Sequence, residues 1–188
     1  MMFGTNTPVR ETIKRIPKNS IGAELGVWKG DSSLLFARKS KKLHLVDAWS
    51  VEPYGDNQYY YDRYSSMTGG SSREHFMSYY DNIYKGVVKR FKDNPKIVIH
   101  RCSTNDFFKT FNEPIDWFYV DADHEKEGVY TDLCNCWDYL KKNNGGIIFG
   151  DDYGNKEGVV LGVKKFLKDH PTAKFSNFFK NQFEIRII

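Results

Sequence analysis

Cysteine is scarce: Cys102, Cys134 and Cys136 are the three in 188 residues. An odd number without framework spacing excludes a disulfide scaffold and points to a reduced, cytoplasmic setting. Cys134 and Cys136 fall two apart on an expected helix, where they share no face, so they read as core and edge positions rather than metal ligands. No apolar run approaches the ~20 residues of a membrane span, so no membrane partner is expected. The opening Met1-Met-Phe-Gly-Thr-Asn has no apolar stretch of the kind a secretory signal needs. G-x-x-x-x-G-K-[ST] is absent, which removes the P-loop reading. The net charge of +4 comes from scattered Lys and Arg, not a basic block, so nucleic acid is not an expected partner. Neither an internal repeat nor a linker interrupts the chain, and residues 1–188 suit a single domain.

What is present is organised around Ile21-Gly-Ala-Glu-Leu-Gly-Val-Trp-Lys-Gly-Asp-Ser-Ser33. Ile21, Ala23 and Leu25 form a buried strand, Gly26 and Gly30 permit a tight turn, and Asp31 or Ser32 can cap a helix over Asp31–Ser40. Such a strand–turn–helix is where nucleotide-like cofactors sit in open parallel sheets. The dinucleotide fingerprint wants a glycine where Glu24 stands. A carboxylate there repels pyrophosphate but suits a cationic ligand. S-adenosylmethionine (SAM), with its sulfonium and ammonium and no phosphate, meets that requirement.

The rest of the chain alternates strand and helix. Thr7 to Ile16 is expected as a leading helix, with Pro8 in its first turn and Pro17 ending it. Lys42–Trp49 reads as a second strand with Asp47 at its end, about 20 residues after the glycine turn, where an acid holds a ribose diol. Residues 50–72 have no clear period and many tyrosines; they read as a candidate substrate lid or a mobile insertion. A helix over 72–92 follows, then a strand over 96–100, and Cys102-Ser103-Thr-Asn-Asp106 caps a further helix. Ile115–Asp121 is the fourth strand, running into Asp121-Ala-Asp-His124. A helix over 127–140 stops at Asn143-Asn-Gly-Gly146. Gly146–Gly150 is the fifth strand, ending in Asp151-Asp152-Tyr153. A helix over 159–168 and two closing strands, 174–179 and 183–188, complete an α/β chain with a parallel sheet wrapped on both faces and a terminal hairpin.

With these residues in place the sequence resembles the class I SAM-dependent methyltransferases, and among them the metal-dependent O-methyltransferases of the catechol type and of the type acting on macrolide and aminocoumarin sugars. Glu24-Leu-Gly-Val-Trp-Lys-Gly-Asp-Ser32 matches the catechol-type E-L-G-x-Y-x-G-x-S, with Trp28 for the tyrosine. The resemblance implies a Rossmann-like seven-stranded sheet in the order 3-2-1-4-5-7-6 with strand 7 antiparallel. It implies that Gly26, Trp28, Gly30 and Ser32 line the methionine part of SAM, behind Glu24. Asp47 would take the ribose, Ser103 the adenine, and Asp121 the ammonium. Asp121, Asp151 and Asp152 would hold a Mg2+ ion. The general base differs among relatives, and this chain offers His124 or Asp123. The N-terminal helices that cover the substrate in that family have little counterpart here, so a lid would come from residues 50–72.

Three carboxylates converging at strand ends need a proton or a cation between them, and an all-oxygen set selects a hard ion, Mg2+ first. The bland alternative is that Asp151 or Asp152 only shapes a turn. His124 has a pKa suited to proton removal near neutrality, while Asp123 would need an upward shift. The leading expectation is thus an O-methyltransferase for a small hydroxylated acceptor, sugar or phenol-like, with room for a homo-oligomer. The alternative is a non-catalytic SAM-fold interaction module whose tyrosine segment recognises a partner. A nucleic-acid methyltransferase favours [DN]-P-P-[YF] after strand four, where this chain has Asp121-Ala-Asp-His124.

Overall fold

The computed structural model describes residues 7–52 and 55–187. In chain order the elements are α1 (Thr7–Arg15), β1 (Ser20–Leu25), α2 (Asp31–Phe36), β2 (Ser40–Asp47), α3 (Gln58–Thr68), α4 (Arg73–Phe91), β3 (Ile97–Arg101), α5 (Thr104–Thr110), β4 (Trp117–Val120), α6 (Lys126–Lys142), β5 (Gly146–Gly150), α7 (Glu157–Asp169), β6 (Lys174–Phe179) and β7 (Gln182–Ile187). They build a seven-stranded sheet in the order β3-β2-β1-β4-β5-β7-β6. β1 to β5 pair in parallel, and β7 runs antiparallel to both β5 and β6. This is the sheet the resemblance implied.

Strand alternation sends side chains to two cores. Ala23, Leu25, Phe118, Val120 and Ile148 face α5, α6 and α7, meeting Phe107, Leu133, Trp137 and Phe166. Leu43, Leu45, Trp117, Tyr119 and Phe149 face α1, α2 and α4, meeting Val9, Phe36, Val87 and Phe91. The buried Trp117 and Tyr119 rings both meet Phe36, at centroid distances of 5.6 and 4.7 Å. Such layered aromatic contacts add to area burial by roughly 0.5–1.5 kcal/mol each. Cys136 is buried and Cys134 half-buried on α6, the core and edge positions expected.

Two elements differ from expectation. The Asp31–Ser40 helix ends at Phe36, because Arg38 N–H and Lys39 N–H bond three residues back, to Leu35 O and Phe36 O, and tighten the last turn. The chain enters β2 directly at Ser40, whose hydroxyl donates to Phe36 O. The 50–72 stretch is not structureless. Asn57 caps α3 by accepting from Tyr60 N–H, and Gly69 closes it at φ +84°. α3 lies against α4 through Val51, Tyr61 and Phe76. Its period is obscured in sequence because the tyrosines serve both sides: Tyr61 is 3% exposed and Tyr59 72%.

Candidate functional site

The carboxyl ends of β1, β2, β4 and β5 lie side by side, and the site is built there. At the end of β1 the chain turns at Gly26, with φ +87°. A Cβ at Gly26 would lie 2.1 Å from the carbonyl oxygen of Asp121, so the turn touches the end of β4 backbone to backbone. Gly30, at φ +75°, is the N-cap of α2 and contributes no side-chain cap. Asp31 and Ser32 do not take the capping role expected of them. The Ser32 and Ser33 hydroxyls instead donate to the two carboxylate oxygens of Glu24.

Glu24 is completely buried. Desolvation, opposed by the two serines and reinforced by Asp121 and Asp47, pushes its pKa up to about 8. It braces the glycine turn from behind, with both oxygens engaged by the two serines. Asp47 fixes the same turn: its Oδ2 accepts from Val27 N–H and Trp28 N–H, both at 2.9 Å, and its Oδ1 from Trp49 N–H at 2.7 Å. With Oδ2 taken by two donors, Oδ1 is the oxygen that retains a lone pair for a hydroxyl of a ligand. Trp28 sits at φ +48° and is 48% exposed. Its carbonyl accepts from the Trp49 indole, and the Lys29 ammonium lies 4.2 Å from the centroid of its ring. Ser103 caps α5 through Asp106 N–H and also donates to the Asp106 carboxylate at 2.7 Å.

At the tips of β4 and β5 one ligand-capable atom each of Asp121, His124 and Asp152 lie within 4.8 Å of one another. His124 Nε2 is 3.5 Å from Asp121 Oδ1 and 3.3 Å from Asp152 Oδ2. Hydrogen bonding to Asp121 raises the His124 pKa against burial, and burial raises that of Asp121 against His124. Two carboxylates and an imidazole form a donor set that fits a divalent first-row ion.

Asp151, expected in this cluster, is directed elsewhere. Alternation along β5 puts it on the face of Ile147 and Phe149, toward Tyr119. Its Oδ2 accepts from the Tyr119 hydroxyl at 3.1 Å, and its Oδ1 from the Asn181 amide and from Asp152 N–H. Burial, with Asp121 as the second cause, pushes its pKa up to about 6. Asp152, at φ +59°, turns the chain back so that its own carboxylate reaches His124. Asp123 is also engaged: Oδ1 accepts from Glu125 N–H at 2.9 Å, and Oδ2 occupies the space a Cβ on Gly128 would need. A small recess, of about 10 Å3, opens between Asp121, His124, Asp151 and Val159.

The structure thus brings together Gly26, Gly30, Trp28, Ser32, Asp47, Asp121, His124 and Asp152 at one sheet edge. Sequence reasoning missed Ser33, Tyr119 and Asn181. Tyr119 stands two residues before Asp121 on the same strand face, which period-two counting could have flagged. Asn181 lies on the β6–β7 turn, and nothing local marked it.

The methyltransferase-domain family matches residues 23–153. No curated protein is similar enough in sequence to match. Among solved structures, the chain is similar to the O-methyltransferase TomG of Streptomyces achromogenes, involved in tomaymycin synthesis and solved with SAM, at TM-score 0.63, 14% identity, 97% of this chain and 78% of that one. It is similar to an O-methyltransferase of Bacillus cereus solved with S-adenosylhomocysteine, at TM-score 0.56, 14% identity, 100% and 93%. It is also similar to an rRNA methylase of Streptococcus thermophilus, at TM-score 0.54, 11% identity, 99% and 96%.

Proposed function

The chain belongs to the methyltransferase-domain family, with the class I SAM-dependent fold, and from that premise we propose that it transfers the methyl group of SAM to a hydroxyl of a small sugar-like or phenol-like molecule, with a divalent cation at the site. The observation that carries the reading is the Asp121–His124–Asp152 cluster standing beside the glycine turn that Asp47 and Glu24 hold. A pocket of carboxylates opposite a glycine turn favours a positively charged donor. Asp47 Oδ1 has a lone pair for a ribose hydroxyl, Gly26 lets the turn for the methionine arm lie against the end of β4, and Trp28 offers an aromatic ring at the mouth.

Asp121, His124 and Asp152 are the residues that would hold the cation. The imidazole in the set suits Mn2+ or Fe2+ as well as the Mg2+ an all-oxygen set would select. The chemistry a cation held there would supply is acidification of a coordinated hydroxyl toward neutral pH. His124 then serves as ligand, and Asp123, tied to the start of α6, serves the loop. Placing acceptor oxygen and methyl donor in line is the larger part of the rate enhancement, since positioning contributes up to about 7–11 kcal/mol.

Supporting the O-linked reading over base methylation are Asp121-Ala-Asp-His124 in place of [DN]-P-P-[YF] and the acidic character of the cluster, which opposes polyanion approach. The test is S-adenosylhomocysteine release from SAM across a panel of sugars, catechols and structured RNA, with Mn2+, with Mg2+ and with chelator. Turnover on a hydroxylated acceptor that chelator abolishes supports the reading. Turnover on RNA alone, or none with any acceptor despite SAM binding, refutes it, the latter in favour of an interaction module.

A further inference from the structure

The side chains that hold Asp151 lie behind the cluster and bond to one another. We propose that Asp151 is a positioning residue rather than a cation ligand, and that Tyr119, Asn181 and Asp151 together set the Asp152 carboxylate against Asp121 and His124. The inference rests on the cation reading above and assigns its support.

Four observations converge. Asp152 is a non-glycine residue at φ +59°, a conformation disfavoured for a residue with a Cβ that persists only where its surroundings enforce it. Its N–H is taken by Asp151 Oδ1 at 2.7 Å, which fixes the peptide that precedes the turn. The Asn181 amide donates both to Asp151 Oδ1 and, at 3.4 Å, to Asp152 Oδ1. That leaves Asp152 Oδ2 as the oxygen facing His124 Nε2. Asn181 O in turn accepts from Tyr153 N–H at 3.0 Å, so the β6–β7 turn grips the Asp151–Tyr153 segment by main chain and side chain alike.

Behind Asp151 the chain of contacts continues into the core. Tyr119 is fully buried and its hydroxyl lies 3.1 Å from Asp151 Oδ2 and 3.2 Å from Gln182 Oε1. One O–H can donate to only one of them. Gln182 Oε1 already accepts from Thr12 on α1 at 2.6 Å, while Gln182 Nε2 is buried with no partner among the described residues. With Gln182 Oε1 already engaged by Thr12, the Asp151 carboxylate is the stronger acceptor for the Tyr119 O–H. Thr12, Gln182, Tyr119, Asp151 and Asp152 then form one line from α1 to the cluster. Groups that orient metal ligands in this way are commonly responsible for about 10–100-fold in metal affinity.

The experiment is titration calorimetry of Mn2+ into the full-length chain and of SAM into the metal-free chain, for Asp151→Asn, Asp151→Ala, Asn181→Ala and Tyr119→Phe. Asp151→Asn keeps an oxygen for Asp152 N–H and Asn181 but removes the charge a direct ligand would supply. The proposal expects Mn2+ affinity within about threefold of wild type for Asp151→Asn and a loss of about tenfold or more for Asp151→Ala and Asn181→Ala. It expects a smaller loss for Tyr119→Phe, and SAM affinity unchanged throughout. Equal, large losses for Asp151→Asn and Asp151→Ala, or wild-type Mn2+ affinity in Asn181→Ala, overturn it. If wild type itself takes up no Mn2+, the cation reading fails, and the support is judged on the metal-free crystal structure of Asn181→Ala. Displacement of Asp152 Oδ2 from His124 then supports the proposal, and an unmoved Asp152 overturns it.

Discussion

Replacing Glu24 by glutamine isolates the electrostatic cost of the brace behind the glycine turn. The carboxyl is fully buried and its pKa stands at about 8, against an ordinary 4.5. Between those two values the folded chain binds a proton at Glu24 that the unfolded chain has released. Stability therefore falls as pH rises through this window, by at most about 1.4 kcal/mol per pH unit, and the dependence flattens above the folded pKa. Summed over the window this is on the order of a few kcal/mol, a large share of a typical 5–15 kcal/mol domain stability. Glutamine keeps an oxygen for one serine and offers N–H groups to the hydroxyl of the other, and it does not titrate. Asp132, pushed up to about 7 by burial, and Asp151, at about 6, shift in the same direction, so wild type alone would mix several groups. The difference between wild type and Glu24→Gln cancels them. Urea unfolding of both chains from pH 5 to 9 is the assay. The variant is expected to gain steadily on wild type from pH 5 to pH 8 and to hold a constant lead above it. A difference that is flat, or that runs the other way, would refute the buried-acid account of this turn.

Three further outcomes follow from the same geometry. Gly26→Ala forces a Cβ against Asp121 O at a position with φ +87°; a stability loss of about 2 kcal/mol or more and loss of SAM binding by calorimetry are expected. Asp47→Ala strips three backbone N–H groups of their acceptor, and at about 1.5–3 kcal/mol for a charged hydrogen bond the chemical-denaturation midpoint should fall clearly, with Asp47→Asn recovering part of it. Burial and His100 hold the His44 pKa down at about 4. The unfolded chain thus binds more protons between pH 4 and its ordinary 6.5, and stability should rise with pH across that range, an effect that His44→Phe should reduce.

How much of this was legible in sequence divides along physical lines. Strands and most helices were readable because their apolar periods are set by burial on one face or two: Leu43–Val46 and Trp117–Val120 announce themselves, and so does the stripe of α4. The glycine turn and the acids at strand ends were readable because chemistry concentrates there. α3 was not, since a tyrosine-rich helix packed on one neighbour and wet elsewhere has no clean apolar stripe. Position alone offers Asp31 or Ser32 as a helix cap, whereas a buried Glu24 takes the Ser32 hydroxyl, a tertiary effect beyond local pattern. The same holds for Asp151: two adjacent aspartates read as a pair, but alternation along β5 points the first into the sheet, and only the left-handed turn at Asp152 brings the second back.

The central claim is tested most directly by a crystal structure with SAM and Mn2+, using anomalous scattering at the manganese edge. The account predicts one strong peak bounded by Asp121, His124 and Asp152, with SAM lying along Gly26 and Asp47 and with Asp151 still bonded to Tyr119 and Asn181. SAM absent from the glycine turn, or a structure with SAM in place and no peak at the cluster, would contradict it.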